Sequence, residues 1–230
     1  MAAIYLIRHS QASFGSSDYD QLSEIGLQQA RVLGASLALR RPRVRRAVCG
    51  TMRRHQQTAG GCLEAMSRPA EWEVDAGWDE YDHDDVIRAF EPRYRDPAAM
   101  VADLAASAHP RRTFQEMFVQ AVARWASGKH DGEYRESWSA FRERVAGALS
   151  RVNASLEKSE VVLVFTSGGP IGAVCGSLLH LSDDATLRLS SRLANAAITK
   201  LVCSDGAVHL STLNEHGHFE GDHAAMMTYR

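Results

Sequence analysis

The stretch VVLVFTSGGPIG, residues 161–172, contains a continuous apolar run that ends in a polar, glycine-rich turn. An apolar run without polar alternation is typical of a strand that is buried on both faces. The pattern after the turn predicts a helix. A doubly buried strand followed by a helix favours an α/β fold, in which helices cover a sheet.

Strands and helices also alternate elsewhere at both ends of the chain. We predict a helix that is capped by Ser23 and runs to about Leu39, with Leu27, Ala30, Leu33 and Leu37 on one apolar stripe, and a second helix at Met52–Met66. The predicted strands are residues 3–7, Val44–Cys49, Glu71–Asp75, Val161–Phe165, Ala197–Cys203 and Ala207–Leu213, the last two joined by a hairpin turn at Ser204-Asp205-Gly206. From about 84 to 156 the pattern is helical. We therefore predict one domain, residues 1–230, with a mainly parallel sheet covered by helices and a helical insertion at about 84–156.

Composition limits the class of protein. The chain has 230 residues, 45% of them apolar, and a net charge of −2, so it can bury a sizeable core and its overall charge selects no partner. It has no apolar run long enough to cross a bilayer, and its N-terminus lacks the features of a secretory signal. The cysteines Cys49, Cys62, Cys175 and Cys203 are scattered, which indicates reduced thiols. We expect a cytoplasmic protein that binds no membrane.

Polar motifs follow several of the predicted strands. Arg8-His9 pairs a guanidinium with a candidate nucleophile, and GTMRRHQQTA (50–59) brings basic residues to a helix N-terminus. TSGG (166–169) offers backbone N–H groups and a hydroxyl to an anion, and GWDEYDHDD (77–85) offers a proton donor. Ligands of such sheets bind beyond the carboxyl ends of the strands. Together these motifs indicate phosphoryl transfer, in which an imidazole attacks and a carboxylic acid protonates the leaving oxygen.

These motifs resemble those of the histidine phosphatase superfamily, also called the phosphoglycerate mutase-like family. LIRHS (6–10) is similar to L-[IV]-R-H-G, DQLSEIGLQQARVLG (20–34) to L-[ST]-x-x-G-x-x-Q-A, and MRRHQQTA (52–59) to L-x-R-[AT]-x-[EQ]-T-A. WDEY (78–81) resembles L-x-E, VVLVFTSGGPI (161–171) resembles V-V-[ST]-H-G-G-x-I, and ANAAITKL (194–201) resembles N-x-[AS]-[IV]-T. The resemblance extends over the whole chain except the helical insertion.

The resemblance implies a role for each matched residue. His9 would become a phosphohistidine, Arg8 and Arg54 would hold the phosphate, and Glu80 would donate a proton to the leaving group. Ser167 and the backbone of Gly168 would also bind the phosphate. The implied fold is a three-layer α/β sandwich with a mixed sheet and a helical cap, and the implied chemistry is that of a phosphatase acting on a small phosphorylated substrate without a metal or cofactor.

The sequence departs from the family pattern at two positions. Ser167 stands where the pattern has the second histidine, in H-G-G, and Ser10 stands where the pattern has glycine. Because serine carries no positive charge, we expect low activity, and we expect Ser167→His to raise it. His83, three residues past Glu80, is our candidate surrogate for that histidine, whereas we expect His55 to point away from the site.

Several alternatives remain open. The protein could bind a phosphorylated ligand or a protein partner without turnover, or it could be a phosphoglycerate mutase-type isomerase. We favour a hydrolase over a mutase because QASFGSSDYD (11–20) lacks a Ser-x-Trp-Asn pattern. A serine hydrolase that uses Ser167 is disfavoured, because position 165 is not the glycine that a G-x-S-x-G motif requires.

Two further motifs are charged or rich in histidine. RRPRVRR (40–46) has five arginines in seven residues, but we interpret it as a solvated loop and expect no nucleic-acid binding. HGHFEGDH (216–223) lacks the ligand spacing of a structural zinc site, so we expect a polar, partly ordered segment without a metal. A homo-oligomer is compatible with the sequence.

Overall fold

The protein is described by a computed structural model that covers residues 1–13 and 20–229. The stretch 11–20 favours a hydrolase over a mutase by its sequence. Residues 14–19 of that stretch lie outside the described residues. By their contacts the described residues form two compact units. One comprises Met1–Glu80 and Arg144–Arg230, and the other comprises Tyr81–Glu143. The predicted single domain with an insertion at 84–156 stays a prediction.

A mixed sheet organises the first unit. Within the described residues the strands are β1 (Ala2–Arg8), β2 (Val44–Cys49), β3 (Glu73–Val74), β4 (Val161–Thr166), β5 (Ile198–Ser204) and β6 (Ala207–Glu215). They lie in the order β3-β2-β4-β1-β5-β6. Strands β3, β2, β4 and β1 are parallel to one another. Strand β5 is antiparallel to β1, and β6 is antiparallel to β5. All six residues of β4 are buried, as the apolar run predicts.

The helices are α1 (Glu24–Arg40), α2 (Arg53–Ala65), α3 (His83–Phe90), α4 (Pro97–Ala105), α5 (Pro110–Ala126), α6 (Trp138–Ala154), α7 (Gly168–Leu178) and α8 (Asp183–Ser190). The predicted α/β class, a mixed sheet flanked by helices, is confirmed. None of these helices is long and apolar enough to cross a membrane, as far as the described residues go.

The second unit has an aromatic cluster of its own. The ring of Trp125 lies 4.6 Å from Tyr81 and 5.1 Å from Trp138, measured between centroids. Its indole Nε1–H donates to the carbonyl of Glu136 at 2.8 Å. This bond satisfies the single polar atom of a buried indole, as buried tryptophans usually require. The cluster therefore ties α5 to the segment that leads into α6.

α1 begins as predicted and buries three of the four residues of the predicted stripe. The Ser23 hydroxyl accepts the Gly26 N–H at 3.0 Å, which makes Ser23 the N-cap. Ala30, Leu33 and Leu37 are buried, but Leu27, predicted to lie on the same stripe, is 41% exposed. Gly26 is buried in its place, because the helix approaches the backbone of Gln11 so closely that a Cβ at position 26 would lie 2.1 Å from the Gln11 oxygen.

Specific residues form the turn between β5 and β6 and the segment that follows β6. The β5–β6 hairpin turns at Asp205 and Gly206, whose φ angles of 52° and 80° fit a two-residue type I′ turn, as predicted. After β6, the fully buried Phe219 packs into the core and the ring of His218 lies 4.3 Å from it. The tail therefore has one apolar anchor in the core, and its partial order stays a prediction.

The arginine-rich stretch 40–46 is not a simple loop, and three of its five arginines lie next to carboxylates. Arg40 ends α1 and bonds Glu215 at 2.9 Å, while Arg46 lies in β2 and bonds Glu73. Arg45 lies 3.4 Å from Glu160. These carboxylates neutralise three of the five arginines, and the absence of nucleic-acid binding stays a prediction.

The four cysteines are buried and unbridged, which agrees with the prediction of reduced thiols. Burial raises the pKa of Cys62 and Cys175 to about 12. Thiols of this kind are poor nucleophiles at neutral pH, because the reactive form is the thiolate.

Two glycine-to-alanine substitutions in helices should have opposite effects on stability, because a methyl group on one glycine would meet Gln11 and a methyl group on the other would meet nothing within 4 Å. Gly26→Ala should lower the free energy of unfolding by about 1–3 kcal/mol, because the new methyl group overlaps the Gln11 carbonyl. Gly60→Ala in α2 is the matched control: its Cβ meets nothing within 4 Å, so the better helix former should add about 0.5–1 kcal/mol. Urea denaturation measures both, and equal effects of the two substitutions would contradict this account.

Candidate active site

The parallel register of β1, β4 and β2 brings three chain segments to one edge of the sheet. Arg8 pairs with Thr166, and Cys49 pairs with Phe165, so the three strands end side by side. Beyond these pairs, the His9 N–H donates to the Thr166 carbonyl at 2.8 Å and the Gly50 N–H to the Phe165 carbonyl at 3.2 Å. His9, Ser167 and the start of α2 therefore lie together.

Hydrogen bonds fix both the backbone and the ring of His9. Its Nδ1 lies 2.8 Å from the Ser10 carbonyl oxygen. Because a carbonyl can only accept, Nδ1 carries the hydrogen, and Nε2 holds the lone pair. The Asn195 side-chain amide donates to the His9 carbonyl at 3.1 Å, and the Ala196 N–H donates to the Arg8 carbonyl at 3.1 Å. The His9 ring is therefore buried and held in the tautomer whose lone pair is on Nε2.

The charge around His9 keeps its imidazole neutral. Burial lowers the pKa of His9 well below its usual value, and the positive charges of Arg54 and Arg8 lower this pKa further. Both effects penalise a protonated ring. Since only the neutral ring has a lone pair on Nε2, the lowered pKa favours the form of His9 that keeps this lone pair.

Arg8 and Arg54 are each held in place by neighbouring groups. Arg8 donates through Nη1 to the carbonyls of Leu193 and Tyr229. A Cβ on Gly168 would lie 3.8 Å from Arg8 Nε, so this guanidinium lies beside the start of α7. Arg54 is almost fully buried and donates through Nη1 to Asp20 Oδ1 at 2.7 Å. Asp20 Oδ2 also accepts the Arg53 N–H at 2.8 Å, which fixes the first turn of α2.

Ser10 replaces glycine without backbone strain. The positive-φ residues of the described chain do not include Ser10. The Ser10 N–H donates to Thr58 Oγ1 at 3.0 Å, and this hydroxyl in turn donates to the Arg54 carbonyl at 2.7 Å. The substitution therefore does not disturb the link between the His9 loop and α2.

Glu80 lies at the N-terminus of α7. Its Oε2 accepts the Gly169 N–H at 3.0 Å. The segment before Glu80 is held against the sheet because the Thr166 hydroxyl donates to the Trp78 carbonyl. The structure thus brings together six of the predicted site residues: Arg8, His9, Arg54, Glu80, Ser167 and Gly168.

His83 belongs to the second unit. There its ring packs edge-on against Tyr81, with centroids 4.5 Å apart, and against Phe118, at 5.4 Å. These contacts are aromatic packing within the unit. The surrogate role of His83 stays a prediction.

A different histidine, His55, stands beside Ser167. His55 is fully buried, its Nε2 lies 2.7 Å from Ser167 Oγ, and its ring lies 5.8 Å from that of His9. Burial, and then the charge of Arg54, lower the pKa of His55 well below its usual value. The expectation that His55 points away from the site is wrong.

His55 faces Ser167 because the first turn of α2 starts at the sheet edge and Gly50 leaves room for the His55 ring. A Cβ at position 50 would lie 2.4 Å from His55 Nδ1. A signal for this was available in the sequence, because His55 stands where the family pattern has alanine or threonine. The expected benefit of Ser167→His is not supported either, since a second imidazole at this buried position would overlap His55.

No cluster of three or more histidine, cysteine or acidic side chains suited to a metal occurs within residues 1–13 and 20–229. Metal independence stays a prediction.

The lowered histidine pKa values predict that the protein loses stability in mild acid. Below pH 6.5 the unfolded chain protonates His9 and His55, whereas the folded chain keeps both neutral. Stability is thus fully present above pH 6.5 and falls, as pH drops towards the lowered pKa, by about 1.4 kcal/mol per pH unit for each histidine. Urea denaturation at pH 7.5, 6.5 and 5.5 measures this fall, and His55→Gln should reduce its slope. A stability that is constant or rises between pH 7.5 and 5.5 would contradict the electrostatic account.

Comparison with solved structures finds the same fold in several enzymes. A phosphoglycerate mutase from Bacillus anthracis str. Sterne is 18% identical, with a TM-score of 0.63 and 94% of each chain covered. A phosphoserine phosphatase from Entamoeba histolytica, in complex with phosphoserine, is 18% identical, with a TM-score of 0.65 over 95% of this chain and 99% of that one. A mycobacterial glucosyl-3-phosphoglycerate phosphatase with inorganic phosphate is 20% identical, with a TM-score of 0.62 over 94% and 98%.

Comparison with curated proteins gave no match. A family model does match: the one described as histidine phosphatase superfamily (branch 1) covers residues 4–128 and 108–216, which is most of the chain. The chain therefore belongs to the histidine phosphatase superfamily.

Proposed function

We propose that the protein is a phosphatase that hydrolyses a small phosphomonoester through a phosphohistidine at His9. The observation that carries the proposal is the state of the His9 ring. Ser10 holds the hydrogen on Nδ1, so Nε2 has its lone pair, and burial with Arg8 and Arg54 keeps that ring neutral. A neutral, oriented imidazole beside two guanidinium groups is suited to attack a phosphoryl group.

The first step transfers the phosphoryl group to the enzyme. The Nε2 lone pair forms a bond to phosphorus while the bond from phosphorus to the ester oxygen breaks. Arg8 and Arg54 balance the charge on the non-bridging oxygens. Glu80 gives its proton to the departing oxygen, which leaves as an alcohol. The Gly169 N–H fixes Oε2 of Glu80, so the proton would be carried by the other carboxyl oxygen.

The second step returns the enzyme to its starting state. The Glu80 carboxylate accepts a proton from water, and the water oxygen attacks phosphorus as the bond to His9 Nε2 breaks. Inorganic phosphate leaves, and both His9 and Glu80 regain their initial protonation. No metal step is needed in this scheme.

The comparisons support the substrate class. Two of the structural neighbours are a phosphoserine phosphatase and a glucosyl-3-phosphoglycerate phosphatase, both of which act on small phosphomonoesters by name. Another structural neighbour is a phosphoglycerate mutase, so a mutase-type isomerase activity is the alternative to hydrolysis for this protein. The two activities differ in their product. A phosphatase releases inorganic phosphate, whereas a mutase returns the phosphoryl group to a hydroxyl of an organic acid.

His9→Ala should abolish hydrolysis of p-nitrophenyl phosphate, with kcat/KM at least about 1,000-fold below the wild type, because the bond-forming atom is removed. His209→Ala is the control: this histidine is exposed on β6 and should leave the rate unchanged. Phosphate release by steady-state assay measures both. Wild-type turnover in His9→Ala would refute the proposal, and no turnover by the wild type on any of a panel of phosphomonoesters would favour a protein that binds without catalysis.

Glu80→Gln should slow the hydrolysis of alkyl phosphates far more than that of p-nitrophenyl phosphate. The glutamine oxygen can still accept the Gly169 N–H, so the fold is preserved, but the amide cannot protonate a leaving group. We expect a loss of about 100- to 10,000-fold for an alkyl phosphate and only a few-fold for the aryl ester, whose leaving group needs no proton. An equal loss for both substrates would remove Glu80 from the role of general acid.

A further inference from the structure

We propose that His55 and Ser167 act together in place of the second histidine of the superfamily. His55 Nε2–H donates to Ser167 Oγ, and Ser167 Oγ–H donates to an oxygen of the transferring phosphoryl group. This inference rests on the proposed function, since it assigns a donor within the same phosphate site. His55 is a positioning residue in this arrangement, and Ser167 is the group that touches the substrate.

The direction of the hydrogen bond follows from the surroundings of the His55 ring. Its Nε2 lies 2.7 Å from Ser167 Oγ, whereas its buried Nδ1 has no hydrogen-bond partner among the described residues. An N–H buried without an acceptor is rarer in proteins than an unused lone pair, so the hydrogen of the neutral ring belongs on Nε2. Ser167 Oγ then receives that hydrogen and keeps its own hydrogen for another acceptor.

The opposite direction, in which His55 activates Ser167 as a nucleophile, fits the structure less well. Ser167 has an extended backbone, with φ of −118° and ψ of 175°, whereas a nucleophilic serine between a strand and a helix sits on a strained turn. The nearby carboxylate that could orient such a base, Asp79, forms no hydrogen bond with His55 Nδ1, which has no partner among the described residues. Its two oxygens accept the backbone N–H and the hydroxyl of Thr51, both at 2.6 Å.

Two of the departures from the family pattern, those at positions 167 and 55, are complementary in space. An imidazole is missing at position 167 and an extra one is present at position 55, and the two side chains are in direct contact. Gly50 completes the exchange, because any side chain there would collide with the His55 ring. The imidazole is thus on α2 instead of at the position that follows β4, and in the proposed arrangement the Ser167 hydroxyl lies between it and the phosphoryl group.

The consequence for catalysis is that this donor is neutral. Burial and Arg54 hold the pKa of His55 below its usual value, so the ring strengthens the Ser167 hydroxyl as a donor without adding charge. Positive charge at the phosphate then comes from Arg8 and Arg54. Removal of His55 should therefore affect kcat, where the hydrogen bond to developing charge matters, more than KM.

The test compares two substitutions of similar size, His55→Gln and His55→Leu. The glutamine amide can donate to Ser167 Oγ, whereas leucine cannot. We expect kcat for p-nitrophenyl phosphate to fall about 10- to 100-fold in His55→Leu and only a few-fold in His55→Gln, with KM little changed. Ser167→Ala should lose about 100-fold or more, and adding His55→Leu to it should cost little further. Equal kcat values for the glutamine and leucine variants, or full activity of His55→Leu, would overturn the inference.

A second experiment moves the imidazole back. Ser167→His alone should lose activity because two imidazoles compete for one space, whereas His55→Ala combined with Ser167→His should recover kcat to within about tenfold of the wild type, because it restores a direct histidine donor. Circular dichroism confirms that each variant is folded. A folded double variant no more active than His55→Ala would overturn the inference, and if the double variant does not fold, the glutamine–leucine comparison decides.

His9→Ala, assayed in parallel, separates this inference from the proposed function. If His9→Ala retains wild-type hydrolysis, the phosphohistidine mechanism itself fails. If His9→Ala is inactive while His55→Leu is as active as the wild type, only the assignment of His55 and Ser167 fails.

Discussion

The parallel register of β1, β4 and β2 is the constraint on which the site depends. It makes three strands end at the same level, so that the residues that follow them meet although they are far apart in sequence. The backbone bonds from His9 to Thr166 and from Gly50 to Phe165 carry this alignment one residue past the strands. A shift of one residue would turn each side chain to the opposite face of its strand. The sheet therefore sets the positions of His9 and Ser167 and of the segment that leads into α2, on which His55 lies.

The second organising effect is electrostatic. Two buried or half-buried guanidinium groups beside two buried imidazoles form a site that favours anions and disfavours further positive charge. Asp20 pairs with Arg54 and holds it, and main-chain carbonyls hold Arg8. The histidines stay neutral as a result, which supplies a lone pair at His9 and a neutral donor at His55. The same burial that keeps the His9 ring neutral also makes the fold sensitive to acid.

Much of this could be predicted from the sequence, because the relevant signals are local. The apolar run of β4, the Ser23 cap of α1 and the Asp205-Gly206 turn each follow from the side chains present at those positions. Motifs at strand ends predict Arg8-His9 and the segments that hold the other site residues, and the resemblance to the family singles out Arg54, Glu80 and Ser167 within those segments. Their convergence then followed from the general rule that parallel strands present their carboxyl ends together.

The errors concern packing between segments that are distant in sequence. The direction of the His55 ring depends on the space left by Gly50 and on the contact with Ser167, and no local pattern encodes either. Leu27 is exposed because α1 touches Gln11 through Gly26, and the polar tail contributes one side chain, Phe219, to the core. In each case a single tertiary contact overrides a sound local expectation.

The central claim is that the His9 imidazole receives the phosphoryl group, and the most direct measurement is the position of that group on the enzyme. Wild-type protein is mixed rapidly with p-nitrophenyl phosphate, quenched in alkali, digested and analysed by mass spectrometry. The account predicts one phosphoryl group on the peptide that contains His9, stable in alkali and lost in acid. A phosphoryl group on Ser167 that survives acid, or turnover without any phosphorylated intermediate on His9, would contradict it.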